Sequence, residues 1–236
     1  MDEALLRRIK EDLVSSVDPT PKRSPQSFFK EEIKTHGVKS AVVERISAGF
    51  FKEIRDRGKN EILSLCEALL QTDYVEEAIV ACNWAYALRD QYEPRDFEVF
   101  QEWLYKYINN WAKCDTLCNH TIGTFVEEFP EYVKRLKEWT GSENRWVRRA
   151  SAVTLILPAR KGRFLKEILE IADSLLEDRD DLVQKGYGWM LKEASRLHQR
   201  EVFDYVMRKK TDMPRTALRY AIEKMPGGLR QKAMEK

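Results

Sequence analysis

The sequence predicts an all-α architecture, a stack of short helix pairs, and three observations carry that expectation. Apolar residues recur with a period near 3.6 almost everywhere, and period-2 alternation is nearly absent. Proline and glycine interrupt the pattern often, which leaves many short helices with short connections. A similar segment also returns every 36 residues, beginning at Val75, Trp111, Val147 and Val183.

The helices follow in order. The first covers 3–15 and stops at Asp18-Pro19-Thr20-Pro21-Lys22-Arg23-Ser24-Pro25, where the prolines cannot continue it. Further helices are expected over 26–35, 39–56, 60–71, 74–90, 95–108, 111–128, 130–139, 145–157, 161–176, 181–196, 200–209, 214–224 and 227–234. Gly58, Pro94, Pro130, Gly141-Ser142, Pro158 and Pro226-Gly227-Gly228 punctuate them. In the 36-residue register the fourth position is Ala78, Cys114, Ala150 and Gly186, always small, as close helix stacking requires. The third is Glu77, Lys113, Arg149 and Lys185, basic in three of four. A period in this range belongs to solenoids of helix pairs. The expectation is one HEAT-like helical-repeat solenoid domain over residues 1–236, with the repeats at about 30–222. It should be curved, with a concave groove lined by one helix from each repeat.

Composition bounds the function. Of 236 residues, 43% are hydrophobic, enough for a core, and 34% are charged. No apolar run approaches the roughly 20 residues that span a bilayer, and the N-terminus reads as an amphipathic helix rather than a signal peptide. A cytoplasmic protein without membrane contact is expected. Cys66, Cys82, Cys114 and Cys118 sit in apolar helical patterns, where free thiols pack as small hydrophobes. Net charge is +2 but unevenly spread. Residues 1–144 hold 20 Lys and Arg against 26 Asp and Glu, while 145–236 hold 21 against 13. A basic half suggests an anionic partner, although an ordinary solvated surface gives the same count.

The repeat register also selects side chains. Trp111 and Asp115, at i and i+4, share a helix face. Arg149 and Trp189 lie on equivalent helices of the next two repeats. A carboxylate grouped with two indoles and a guanidinium is an unusual core. Trp84, Trp103 and Trp139 read as packing residues. Cys114, Cys118 and His120 lack a fourth ligand, so no metal is expected. There is no glycine-rich phosphate loop, and His36 and His198 have no evident partners.

Asn109-Asn110-Trp111-Ala112-Lys113-Cys114-Asp115, Trp146-Val147-Arg148-Arg149-Ala150 and Gln184-Lys185-Gly186-Tyr187-Gly188-Trp189 resemble signature segments of the AlkD-type DNA alkylation repair glycosylases. His36-Gly37-Val38-Lys39 resembles that family's early GVK segment. The resemblance runs from about residue 30 to about 222. It implies a solenoid that binds duplex DNA and releases positively charged N3- and N7-alkylated purines, without a cofactor and as a monomer. By position it implies Trp111 and Trp189 as the aromatic pair and Asp115 as the catalytic carboxylate. Arg149 becomes the backbone-binding arginine, with Arg148 its competitor, and Lys185 and Lys113 further DNA contacts. Residues 18–25 depart from the family's N-terminal helices.

The residue types suit that chemistry. A cationic base leaves neutral and needs no strong general acid. A carboxylate near the anomeric carbon stabilises the oxocarbenium-like sugar and orients water. Indole faces attract cations. The alternative is a HEAT-like module that binds DNA or protein and catalyses nothing.

Overall fold

A computed structural model describes residues 2–17, 19 and 24–235. Among these residues regular structure is helical, and β pairing is limited to an isolated parallel bridge, Lys34 to Tyr74. The helices are α1 (Glu3–Ser15), α2 (Ser40–Ile54), α3 (Lys59–Gln71), α4 (Val75–Ala87), α5 (Asp96–Tyr107), α6 (Trp111–Thr116), α7 (Gly123–Glu128), α8 (Val133–Trp139), α9 (Arg145–Val153), α10 (Ile156–Arg160), α11 (Leu165–Ser174), α12 (Asp181–Ala194), α13 (Gln199–Lys209), α14 (Arg215–Ala221) and α15 (Gly227–Met234). Side-chain caps fix several starts by satisfying N–H groups that a helix leaves open. Asp2 accepts from the Leu5 amide at 3.0 Å, Asn110 from Lys113 at 3.1 Å, Asn144 from Trp146 at 2.9 Å and Asp180 from Leu182 at 2.9 Å.

Contacts divide the chain into two compact units, Met1–Leu117 and Cys118–Lys236. In the N-terminal unit α4 packs against α2, α3 and α6. Residues from nearly every side of α4 are buried, including Val75, Ala78, Val80, Ala81, Cys82, Trp84 and Ala85. In the C-terminal unit α12 has the same central place, packing against α9, α10, α11 and α14. Ala78, Cys114, Ala150 and Gly186 are all buried, as the repeat register requires.

Four expectations change. The helix expected over 145–157 ends at Val153, and Pro158, expected as a break, lies inside α10. The helix over 26–35 is absent: a single 3-10 turn, Pro25–Phe28, is followed by irregular chain to Lys39. The backbone here is spent on another purpose, since the Thr35–Val38 stretch wraps a carboxylate on α4. The helix over 111–128 is interrupted by a π turn, Leu117–Ile122. The helix over 161–176 starts only at Leu165, because Gly162 and Phe164 hold left-handed φ values of 77° and 61°. Of the proline-rich stretch 18–25, residues 18 and 20–23 lie outside the described residues.

Candidate catalytic and nucleic-acid site

The candidate residues form two sets, one in each unit. In the N-terminal unit the cap at Asn110 starts α6 and sets Trp111 at its first position. The Trp111 indole is half-buried and fixed twice. Its Nε1 donates to the Phe28 carbonyl at 3.1 Å, and its ring stacks on Phe29 at 5.1 Å between centroids, 18° from parallel. Asp115 follows one turn later, also half-buried. Periodicity does not single out Phe28 and Phe29; the signal is the adjacent aromatic pair following Pro25, which the helical pattern over 26–35 absorbs. Phe28 is 59% exposed beside the indole.

Lys113 points elsewhere. Its side chain is 1% exposed, and its ammonium donates to Asp73 Oδ1 at 2.6 Å, the Asp73 carbonyl at 2.9 Å and Asn109 Oδ1 at 3.2 Å. Burial pushes the Asp73 carboxyl up, but the hydrogen bonds from Lys113 and Asn109 outweigh it and lower the pKa. This lysine braces α6 to the turn before α4 and offers no charge to a phosphate.

The early GVK segment also has a structural task. Glu76, 3% exposed in the first turn of α4, accepts from Thr35 Oγ1 at 2.7 Å and from the amides of His36, Gly37 and Val38 at 3.0, 2.8 and 3.1 Å. Gly37 permits the wrap with φ of 87°. Burial raises the Glu76 carboxyl, yet these hydrogen bonds bring it below its ordinary value. His36, expected to lack partners, meets Glu77 Oε1 at 2.8 Å and stacks on Tyr74 at 4.0 Å. His198 likewise has one, the Gly162 carbonyl at 3.0 Å.

In the C-terminal unit Arg149 is 5% exposed, lying on α9 against α12. Its Nη1 donates to the Leu182 carbonyl. A Cβ on Gly186 would stand 3.4 Å from Arg149 Cγ and 3.5 Å from Nη1, so the glycine leaves the lane in which the guanidinium runs. Arg148 is a clasp: Nε meets Asp178 at 2.6 Å, and Nη1 donates to the carbonyls of Ser142 and Glu143 at 2.8 and 3.0 Å. Lys185 pairs with Asp181 at 3.0 Å across one helical turn, with about a third of each side chain exposed. Trp189, half-buried, follows one turn later on α12. The neighbouring Gly188 meets α14 so closely that a Cβ there would lie 2.7 Å from Tyr220 Cβ.

Cys114 and Cys118 are fully buried among apolar side chains, and burial depresses the His120 pKa. Among the described residues no three His, Cys, Asp or Glu side chains gather as metal ligands. No helix there is long and apolar enough to cross a membrane.

The family model described as "DNA alkylation repair enzyme" matches residues 9–225, nearly the whole chain. The chain belongs to the DNA alkylation repair enzyme family. Two solved structures share its fold. A predicted DNA alkylation repair enzyme from Enterococcus faecalis superposes with a TM-score of 0.76 at 17% identity, over 86% of this chain and 93% of that one. The Pseudomonas fluorescens alkylpurine DNA glycosylase AlkC, bound to DNA containing an abasic site analog, superposes at 0.56 with 15% identity. That match covers 98% of this family member and 66% of AlkC. No curated protein matches the chain in sequence.

Proposed function

We propose that this family member is an AlkD-type DNA glycosylase that hydrolyses the glycosidic bond of N3- and N7-alkylated purines in duplex DNA. The observation that carries the reading is the pairing of Trp111 and Asp115 on one capped turn. The indole is held by a hydrogen bond and a stacked ring, and a half-buried carboxylate stands one turn away. A partly desolvated carboxylate stabilises developing positive charge more strongly than one in bulk water. In this reading Asp115 faces the sugar as it becomes oxocarbenium-like and orients the attacking water. Trp111 and Trp189 each offer a π face to a cation, worth about 0.5–2 kcal/mol.

Arg149 is the guanidinium carried over as the backbone contact, and it would leave the Leu182 carbonyl to reach a phosphate. Among the other expected phosphate contacts, Lys185 is the one free to exchange. Its pair with Asp181 is an i,i+4 surface contact, worth about 0.3–0.5 kcal/mol, so a phosphate oxygen readily replaces it. Arg148 would give up three acceptors and Lys113 a buried ion pair.

The test is single-turnover base release from duplexes holding N7-methylguanine or uracil, with wild type and Asp115→Asn. Wild type is expected to release the cationic base and leave uracil, which would depart as an anion. Asp115→Asn should slow release at least ~10²-fold, the scale of a lost transition-state electrostatic contact. Equal rates for the two proteins would remove Asp115 from catalysis. DNA binding without release by wild type would establish the binding-module alternative.

A further inference from the structure

Positive charge gathers at the C-terminal end of the chain, where residues 208–236 hold nine Lys and Arg against three Asp and Glu. Several of these cations are committed to the fold. Lys209 meets Asp173 at 2.8 Å, the Lys210 ammonium donates to the Glu235 carbonyl at 3.0 Å, and the Arg215 guanidinium donates to the Met234 carbonyl at 3.4 Å. Two others are not. Arg219 on α14 and Arg230 on α15 are exposed and, among the described residues, form no ion pair. Both line one cleft of about 360 Å³ between these helices, together with Ile222, Gln231 and Met234. The cleft is braced at both ends. Arg215 ties the start of α14 to the end of α15, and the short turn at 222–226 joins the other ends.

Two guanidinium groups on one cleft repel each other until an anion joins them. Glu223 also lines the cleft, but two lysines meet its carboxylate: Lys192 reaches Oε2 at 3.1 Å, and Lys224 lies 3.8 Å from Oε1. Ile222 and Met234 make part of the lining apolar, which strengthens charge interactions there. A guanidinium presents planar N–H pairs that match phosphate oxygens, whereas a lysine acts as a point charge. We propose that the α14–α15 cleft is a phosphodiester subsite, in which Arg219 and Arg230 hold a backbone phosphate of the duplex away from the lesion. The inference rests on the glycosylase reading, from which it takes duplex DNA as the partner. α14 packs directly on α12, which carries Lys185 and Trp189, so a duplex held by α12 has this hairpin as its neighbour. A phosphate contact carries no base information. The cleft adds affinity and fixes the register of the duplex, and discrimination stays with the lesion site.

The deciding measurement is the salt dependence of binding to two labelled duplexes, one with guanine and one with N7-methyl-2′-fluoro-2′-deoxyguanosine, whose fluorine protects the glycosidic bond. Losing one phosphate contact makes the slope of log K against log salt concentration shallower by about 0.9. Arg219→Gln combined with Arg230→Gln should show that change. It should also bind both duplexes at least about 10-fold more weakly at low salt, as hydrogen bonds to a charge are lost. The ratio between the two duplexes should keep its wild-type value. Arg219→Lys combined with Arg230→Lys keeps the charge and should keep the slope, while affinity falls about 3-fold or more with the planar fork. Thermal melting of each variant checks that it folds. A wild-type slope and affinity in the glutamine pair overturn the proposal. So does a loss confined to the modified duplex, which would put the arginines in the lesion site. A lysine pair that binds as tightly as wild type also overturns it, by reducing the cleft to a diffuse positive field. Base release from the ordinary deoxynucleotide by wild type is scored separately. The expected slopes without any release would sink the glycosylase reading and leave the backbone contact standing.

Discussion

At the scale of single residues, the chemistry-bearing side chains divide by what already holds them. Glu76 shows how much a charged group can be committed to the fold: one buried carboxylate collects a hydroxyl and three backbone amides from the Thr35–Val38 loop. Its pKa is lowered on folding from the ordinary 4.5. A depressed carboxyl contributes stability above its unfolded value, and that contribution fades as pH falls through the folded one. Glu76→Gln should therefore cost about 1–3 kcal/mol at pH 7, as hydrogen bonds to a charge are lost. Urea unfolding at pH 7 and again near pH 3 should show the gap closing in acid; a gap of the same size at both would contradict this account. Legibility at this scale was uneven. Trp84, Trp103 and Trp139 were read as packing residues and are at most 3% exposed. Lys113 looked like a phosphate contact because its position in the repeat is basic, but periodicity reports the face of a helix and not the partner across it. Asp73, which claims that lysine, lies 40 residues earlier in the chain.

At the scale of elements, small residues decide how close helices come. Gly188 and Gly49 are both helical, and a Cβ meets opposite surroundings at the two positions. At 188 it would fall 2.7 Å from Tyr220 Cβ and 2.8 Å from the Ala217 carbonyl oxygen; at 49 nothing lies within 4 Å. Gly188→Ala should cost about 1–3 kcal/mol by forcing α12 from α14. Gly49→Ala should instead stabilise by about 0.5–1 kcal/mol, because a helix interior favours alanine. Denaturant midpoints of the two variants on opposite sides of wild type would agree with this. Both falling below it would show that space at the Cβ is not what distinguishes them. The repeat register found the close contact at Gly186, because small residues in phase are visible in sequence. It did not find the π turn at Leu117–Ile122. One extra residue in a turn leaves the apolar pattern almost intact over so short a span.

At the scale of the whole molecule, the basic C-terminal stretch was the strongest compositional signal, and much of that charge is internally matched. Arg148 meets Asp178, Arg145 meets Asp180, Lys209 meets Asp173, and Arg160 and Arg196 share Glu193. Among the described residues Arg179, Arg208, Arg219 and Arg230 form no ion pair, and composition could count such charges but not locate them. The all-α class was fully legible, since helical periodicity survives without knowledge of partners. The division into two units was not. Its boundary falls within the apolar run at 111–128, with no linker composition to mark it.

The burial of the tryptophans gives the protein an optical property of its own. Trp84, Trp103, Trp139 and Trp146 are at most 7% exposed, while Trp111 and Trp189 are half-buried. Acrylamide, which quenches indole emission by collision, should reach these two and largely spare the other four. The quenchable fraction of the intrinsic fluorescence is then a label-free signal from the two indoles proposed as π faces. Duplex DNA should shrink that fraction, and Trp111→Phe with Trp189→Phe should nearly abolish it. An unaltered quenching curve in the double variant would mean that the light comes from elsewhere. If the curve responds as expected, DNA binding can be followed in real time on unmodified protein.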